Sequence, residues 1–218
     1  MGFLDYYKET AEVIMERDPA IKNRREVLLY PSFWAVYKYR KAHKLYKEGK
    51  FYRARKISQK AARKYGIEIH PGAEIGRGFF IDHGHGVVIG ETTIIGDNVT
   101  LYQGVTLGGT GKETGKRHPT LEDNVMVSVG AKVLGSITIG ENSKIGAGSV
   151  VLQDVPPNST VVGIPGRVVK GNVVEAPRKA LDQVHLPDPI KAEITSLHED
   201  YEKLYGMIEE LTKQLQDK

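Results

Sequence analysis

The sequence predicts an α+β protein in three parts: an N-terminal helical segment, a parallel β-solenoid and a C-terminal helix. The central observation is an aliphatic residue at every sixth position. The series runs Ile69, Ile75, Ile81, then Ile89, Ile95, Leu101, Leu107, then Leu121, Val127, Val133, Ile139, Ile145, Val151. A period of six fits neither the 3.6 of a helix nor the alternation of a lone strand. It fits short strands that each turn one side chain inward per hexapeptide. The second observation is that helical spacing replaces this period on both sides of the repeat. The third is the residue four places after many of the aliphatics, which is small or β-branched: Ala73, Thr93, Val99, Val105, Val125, Ala131, Ser143, Ser149. Glycine and asparagine recur between the strands, as turns needing positive φ require.

The expected boundaries are 1–66 for the helical segment, 67–170 for the solenoid, 171–188 for a polar linker and 189–218 for the last helix. Phe3, Leu4, Tyr7, Val13 and Ile14 fit a first amphipathic helix that Arg17-Asp18-Pro19 should end. Pro31-Ser32 reads as the start of a second, with Ser32 as cap, running to Gly49. A third spans about Phe51 to Lys64, with Gly66 as its stop. Lys38 to Lys64 holds twelve lysines and arginines against one acid, Glu48. We read this as a solvated basic face that at most steers a polyanionic ligand weakly, not as a nucleic-acid site.

In the last segment Asp188-Pro189 reads as a helix start, with proline at the first helical position. Ile190, Ile194, Leu197, Tyr201, Leu204, Ile208, Leu211 and Leu215 then alternate steps of four and three. That is a heptad seam and predicts self-association.

Composition narrows the function classes. The 218 residues suffice for one core plus appendages. With no cysteine, a disulfide framework and a thiol nucleophile are both excluded. No apolar stretch approaches a membrane span and the N-terminus lacks a signal-peptide core, so a cytoplasmic protein is expected.

The repeat breaks twice, and breaks in a solenoid are natural places for a site. Ile81 to Ile89 is eight residues rather than six, and contains Asp82-His83-Gly84-His85-Gly86. Leu107 to Leu121 is fourteen rather than twelve, and contains a glycine-rich basic stretch from Gly108 to Pro119 that reads as an arm leaving the prism. His83, preceded by an acid and flanked by glycine, is a candidate general base, since imidazole titrates near neutrality. Glu68, fifteen residues earlier and near one solenoid turn away, is a plausible carboxylate to orient it. Asp82 would point the other way from His83 in an extended segment and so be free for a substrate cation. Arg117 suits bidentate carboxylate recognition.

The hexads resemble the left-handed parallel β-helix of the hexapeptide-repeat acyltransferases, in which three hexads make one coil. Thirteen hexads then give between four and five coils. The runs IEIHPGAEIGRGFFIDHGHGVVIGET, VTLGGTGKETGKRHP and AKVLGSITIGENSKIGAGSVVLQDVPPNSTVVGIPGRVV, over about residues 16–170, resemble the serine O-acetyltransferase family. The DHGHG, TLGGTGK and KRHP motifs separate that family from other hexapeptide-repeat acetyltransferases.

This resemblance implies acetyl transfer from acetyl-CoA to the hydroxyl of L-serine, with His83 as catalytic base and Glu68, aspartate in many relatives, as its partner. It implies that Asp18 and Asp82 hold the serine ammonium, that Arg117 and His118 hold its carboxylate, and that Gly109, Thr110 and Lys144 contact CoA, with no metal. It further implies a homotrimer with its cleft between neighbouring subunits, and L-cysteine as a feedback inhibitor. The family's larger helical domain pairs trimers into hexamers, whereas only about 66 residues precede the repeat here, so a trimer is expected. The family's tail-mediated complex with cysteine synthase is not expected, because the chain ends Leu215-Gln216-Asp217-Lys218 rather than in isoleucine. Two acetyl acceptors, homoserine or a sugar, remain as alternatives. So do a metal-dependent lyase of the gamma-class carbonic anhydrase type, using His70, His83, His85 and His118, and a non-catalytic scaffold or nucleic-acid binder.

Overall fold

The computed structural model describes residues 2–111, 114–169 and 189–216. Two compact units are present, one up to Leu186 and one from Pro187 to Lys218. The helical segment and the solenoid therefore share one unit, although the helices end at Tyr65 and the first strand begins at Ile67. The expected linker, 171–188, lies outside the described residues.

Three α-helices lead the first unit: α1 (Phe3–Arg17), α2 (Pro31–Lys47) and α3 (Phe51–Tyr65). Asp18 ends α1 in an extended conformation, and Gly66 ends α3 in the left-handed region at φ 68°. Two details differ from the sequence reading. A 3₁₀ helix, Arg24–Leu29, precedes α2 and is capped by the Asn23 side chain, which accepts from the Arg25 N–H. The cap of α2 is Tyr30 rather than Ser32, which lies buried in the first turn. Proline at the first helical position holds the preceding residue extended, which places the boundary at Tyr30.

The strands form three parallel sheets, the faces of a prism. The first face stacks Ile67–Ile69, Val87–Ile89, Thr106–Gly108, Lys132–Leu134 and Val150–Val151. The second stacks Glu74–Ile75, Ile94–Ile95, Thr120–Leu121 and Thr138–Ile139. The third stacks Phe80–Ile81, Thr100–Leu101, Met126–Val127, Lys144–Ile145 and Thr160–Val162, closed by antiparallel Arg167–Val169. Of the hexad aliphatics all but Ile75 are buried, and so are the residues four places on, from Ala73 to Ser149. Both sets fill the prism axis, and this apolar burial holds the rod together. Ile75 belongs to the first coil and lines a cavity of about 700 Å³ against α2.

Three edges join the faces. Edge one runs from the third face to the first, edge two from the first to the second, and edge three from the second to the third. Edge three turns on Asn98, Asn124, Asn142 and Asn158, all at φ between 56° and 59°. Their amides form a ladder with 3.1 Å steps from Asn124 to Asn142 and from Asn142 to Asn158. Edge one turns on Gly104, Gly130 and Gly148, also left-handed.

The helices are anchored to the first coils by polar contacts. Arg17 donates to the Gly78 carbonyl at 3.1 Å and to the Thr100 hydroxyl at 2.9 Å. The Ser58 hydroxyl donates to the Ile69 carbonyl at 2.6 Å. An aromatic cluster of Phe3, Tyr6, Phe33, Trp34 and Tyr37 ties α1 to α2. Part of the basic run is neutralised locally, with Lys47 on Glu74 at 2.8 Å and Lys41 over the Tyr37 ring.

The second unit contains helix α4 (Pro189–Gln216). Its seam residues Ile194, Leu197, Tyr201, Leu204 and Ile208 are each about 60% exposed on this helix. The side chains of Ile190, Leu211 and Leu215, and residues Asp217 and Lys218, lie outside the described set. No described helix is long and apolar enough to cross a membrane.

Candidate active site

Both breaks in the repeat fall at prism edges. The first, Asp82–Gly86, forms edge one between the Phe80–Ile81 and Val87–Ile89 strands. Its two extra residues do not break the ladder, because the Gly86 N–H donates to the Gly66 carbonyl at 2.8 Å and the Gly104 N–H to the His85 carbonyl at 2.9 Å. Gly84 presses onto the first strand so closely that a Cβ there would lie 2.6 Å from Ile67 Cδ1. The loop is thus seated beside the strand that carries Glu68.

His83 sits at the tip, exposed, at φ 56°. Histidine is one of the few non-glycine residues that tolerates this region. The segment is therefore not extended as the sequence reading assumed. The Asp82 carboxylate accepts the His83 backbone N–H at 2.9 Å, leaving the imidazole directed by the loop rather than by Asp82. Glu68 projects from the first face between the buried Ile67 and Ile69. It accepts from the Gln59 amide of α3 at 3.2 Å, and among the described residues no hydrogen bond links it to His83.

Asp18, at the end of α1, joins this group. Its carboxylate accepts from the Ala20 N–H at 2.7 Å and from the Tyr30 hydroxyl. Burial raises the Asp82 carboxyl above its ordinary value, the Asp18 charge adds to that, and His83 opposes it. Two carboxylates that feel each other in a half-buried notch are a receptor for a cation.

The second break, Gly108–Pro119, forms edge two, and its return is pinned to the turn Gly90–Thr93. Thr92 is the hub: its hydroxyl accepts from the N–H groups of Arg117 at 3.0 Å and His118 at 3.2 Å. The Lys116 ammonium donates to the Thr92 and His118 carbonyls. The Thr92 N–H donates to His118 Nδ1 at 3.2 Å, so the neutral ring carries its proton on Nε2. Burial first, then Arg117, holds the His118 pKa below the ordinary histidine value. The ring lies over Gly90, where a Cβ would come within 1.9 Å of it. Arg117 is paired with Glu91 at 2.5 Å, and Glu91 also accepts from the Tyr46 hydroxyl at 2.9 Å. A guanidinium fixed on one side by Glu91, beside an imidazole N–H, can bind an external carboxylate.

The structure therefore brings together Asp18, Asp82 and His83 on edge one, with Glu68 on the adjoining face, and Arg117 and His118 on edge two. It does not unite the two groups within one chain. The first face separates them, its strands of two or three residues spanning about 7–10 Å before the turns are added. Gly109 and Thr110 lie on edge two, with Thr110 packed near Gly135. Lys144 lies on the third face between Met126 and Thr160. Within the chain, no cluster of three or more His, Cys, Asp or Glu among the described residues could hold a metal ion. Sequence reading missed Tyr30, Gln59, Tyr46, Glu91 and Thr92, none of which follows the period of six.

Comparison with known proteins identifies the family of the chain. Residues 118–153 match the bacterial transferase hexapeptide family of six repeats. The serine acetyltransferase of Bacillus licheniformis is 57% identical over 203 residues, 93% of this chain and 94% of that protein. Soybean serine acetyltransferase complexed with serine is 45% identical, with a TM-score of 0.73 over 76% of this chain and 68% of that one. The Brucella abortus enzyme in complex with coenzyme A is 42% identical, with a TM-score of 0.73 over 77% and 67%. A serine acetyltransferase in complex with cysteine is also 42% identical, with a TM-score of 0.74 over 77% and 70%. With this identity over nearly its whole length, the chain belongs to the serine acetyltransferase family.

Proposed function

We propose that the chain transfers acetyl from acetyl-CoA to the hydroxyl of L-serine, giving O-acetyl-L-serine and CoA, at a site that two protomers complete. The observation that carries this reading is the division of the polar groups between two edges. A carboxylate pair and a histidine stand on one, and an arginine with a neutral histidine on the other. L-serine needs both sets at once, one for its ammonium and hydroxyl and one for its carboxylate. A closed trimer with its threefold axis along the prisms sets edge one of each protomer against edge two of the next. The α4 heptad seam also favours self-association.

In this reading Asp18 and Asp82 bind the ammonium, and Arg117 with His118 Nε2–H binds the carboxylate. His83 takes the hydroxyl proton as the serine oxygen bonds to the thioester carbonyl carbon. Glu68 steadies the imidazolium. As the carbon–sulfur bond breaks, His83 returns the proton to the departing thiolate, and no metal is needed. General-base help of this kind contributes roughly 100- to 10,000-fold. Gly109 and Thr110, beside the carboxylate clamp, contact CoA. Lys144 reaches it from the third face. L-Cysteine has the same ammonium and carboxylate and inhibits by occupying the clamp. A cytoplasmic setting goes with this reading, in keeping with a chain that has no cysteine.

The test is thiol release from acetyl-CoA with L-serine and with L-homoserine. Serine should be preferred by roughly 10-fold or more, the usual effect of one misfitting methylene. His83→Ala should lose nearly all turnover while staying folded, because His83 is at an exposed loop tip. Retention of more than about a tenth of the turnover would end the general-base role.

A further inference from the structure

Three carboxylates around the site, Asp18, Glu68 and Glu91, share a feature that their positions alone do not explain. Each accepts a hydrogen bond from a neutral donor of the helical segment: Asp18 from Tyr30, Glu68 from Gln59, and Glu91 from Tyr46. Glu91 is also neutralised by Arg117. Asp18 is not. Among the described residues its two hydrogen-bond partners are the Ala20 N–H and the Tyr30 hydroxyl, and neither carries charge. We infer that Tyr30 is a positioning residue for serine recognition: it fixes the Asp18 carboxylate toward the substrate ammonium without cancelling its charge. This inference rests on the assignment of Asp18 and Asp82 to that ammonium.

Both partners are held by their own backbone contacts. Tyr30 has an extended backbone held from both sides, by its N–H on the Val27 carbonyl at 3.2 Å and by Pro31. Asp18 is tied by its N–H to the Ile14 carbonyl at 2.8 Å, next to Arg17, which is bonded to the solenoid. The hydroxyl and the carboxylate therefore meet between two hydrogen-bonded pieces of backbone. An ionised carboxylate has about four acceptor sites, so two occupied sites leave others for the ligand.

A lysine or arginine in place of Tyr30 would compete with the substrate for the Asp18 charge. A phenol donates one hydrogen bond and adds no charge. It also remains a donor, because burial and then the bond to Asp18 raise its pKa, with the Asp82 charge in the same direction. The neighbouring aromatic Trp34 shows the contrast, since its indole N–H is satisfied by the Leu28 carbonyl and is not available to the site.

The experiment is a double-mutant cycle on the full chain, Tyr30→Phe with Asp18→Asn, measured by steady-state kinetics in both substrates. Tyr30→Phe keeps the ring and removes only the hydroxyl. It should raise the serine KM roughly 10- to 100-fold, the scale of a lost hydrogen bond to a charged group. It should change kcat less than about 2-fold and leave the acetyl-CoA KM unchanged, a split that general loosening of the fold would not give. Cysteine inhibition should weaken in parallel. Adding Tyr30→Phe to Asp18→Asn should cost less than about 2-fold further, since Tyr30 acts through Asp18. Full additivity, or an equal loss in acetyl-CoA KM, overturns the inference. An unchanged Tyr30→Phe beside an impaired Asp18→Asn overturns it while leaving the ammonium assignment standing. An Asp18→Asn variant with unaltered serine KM removes the assignment itself, and the inference with it.

Discussion

Gly90→Ala is a small change with a large expected consequence for serine binding. A Cβ at position 90 would lie 1.9 Å from His118 Cδ2 and 2.2 Å from Nε2. Ordinary carbon contacts are about 3.5–4.0 Å, so the ring must retreat by roughly 1.5–2 Å. It cannot do so freely. His118 is only 9% exposed, and Gly109 is also close to the ring, a Cβ there lying 3.5 Å from Nε2. Retreat on that scale breaks the contacts of Nδ1 with Thr92, now at 3.0 and 3.2 Å, and moves the Nε2–H away from the carboxylate it serves. Hydrogen bonds to charged groups contribute about 1.5–3 kcal/mol, which corresponds to roughly 10- to 100-fold in serine affinity. Residue 90 has no positive-φ requirement, and its N–H bond to the Leu107 carbonyl survives, so the prism should hold. The assay is the serine KM by thiol release, with thermal unfolding as the check on fold. A folded Gly90→Ala protein whose serine KM stays within about 2-fold would refute the role given to His118.

Two further outcomes follow from the same geometry. Burial and the Asp18 charge raise the Asp82 pKa, and serine's ammonium favours the ionised form. The serine KM should therefore rise on acidification, starting above the usual aspartate range, with protons released on serine binding in mildly acid buffer; a flat profile down to pH 5 beside a flat acetyl-CoA profile contradicts this. Removing α4 at position 188 should leave the His83 chemistry intact in the concentrated enzyme but weaken the oligomer on dilution, because Ile194, Leu197, Tyr201 and Leu204 provide the seam. Analytical ultracentrifugation across a dilution series checks it, and an unchanged mass at every concentration would remove the seam from the assembly.

The parts of the fold legible in the sequence are those governed by a period. Leu101, Leu107 and Leu121 each fill one position of a stacked axis, so the period of six resumes after an insertion at an edge. The α3 stop at Gly66 was legible because a left-handed cap demands glycine. The start of α2 was legible only to within a residue, since Ser32 offers a capping hydroxyl but Pro31 determines the geometry. The site divides in the same way. His83 stands out in the sequence because it falls in a break of the period and imidazole suits a general base, whereas Arg117 gains its proposed role from the family resemblance. Tyr30 was not, because its partner Asp18 is twelve residues away across a 3₁₀ helix with no repeating pattern. Thr92 was hidden for another reason. Between Gly90 and the buried Thr93 it reads as a turn residue, and its function as a hub depends on the return of the chain some 25 residues later. Sequence motifs gave the identities of the polar groups, but their division between two edges needed the strand order.

That division is the central claim, and mixed trimers test it directly. His83→Ala and Arg117→Ala are each expected to be nearly inactive alone. If every site takes His83 from one protomer and Arg117 from the next, unfolding and refolding the two variants together at equal ratio regenerates intact sites. Random assortment into trimers gives about one quarter of the sites both groups, and so roughly a quarter of the activity of refolded parent enzyme. Activity no higher than the sum of the separate variants, in particles shown to contain both, would contradict a site shared between protomers.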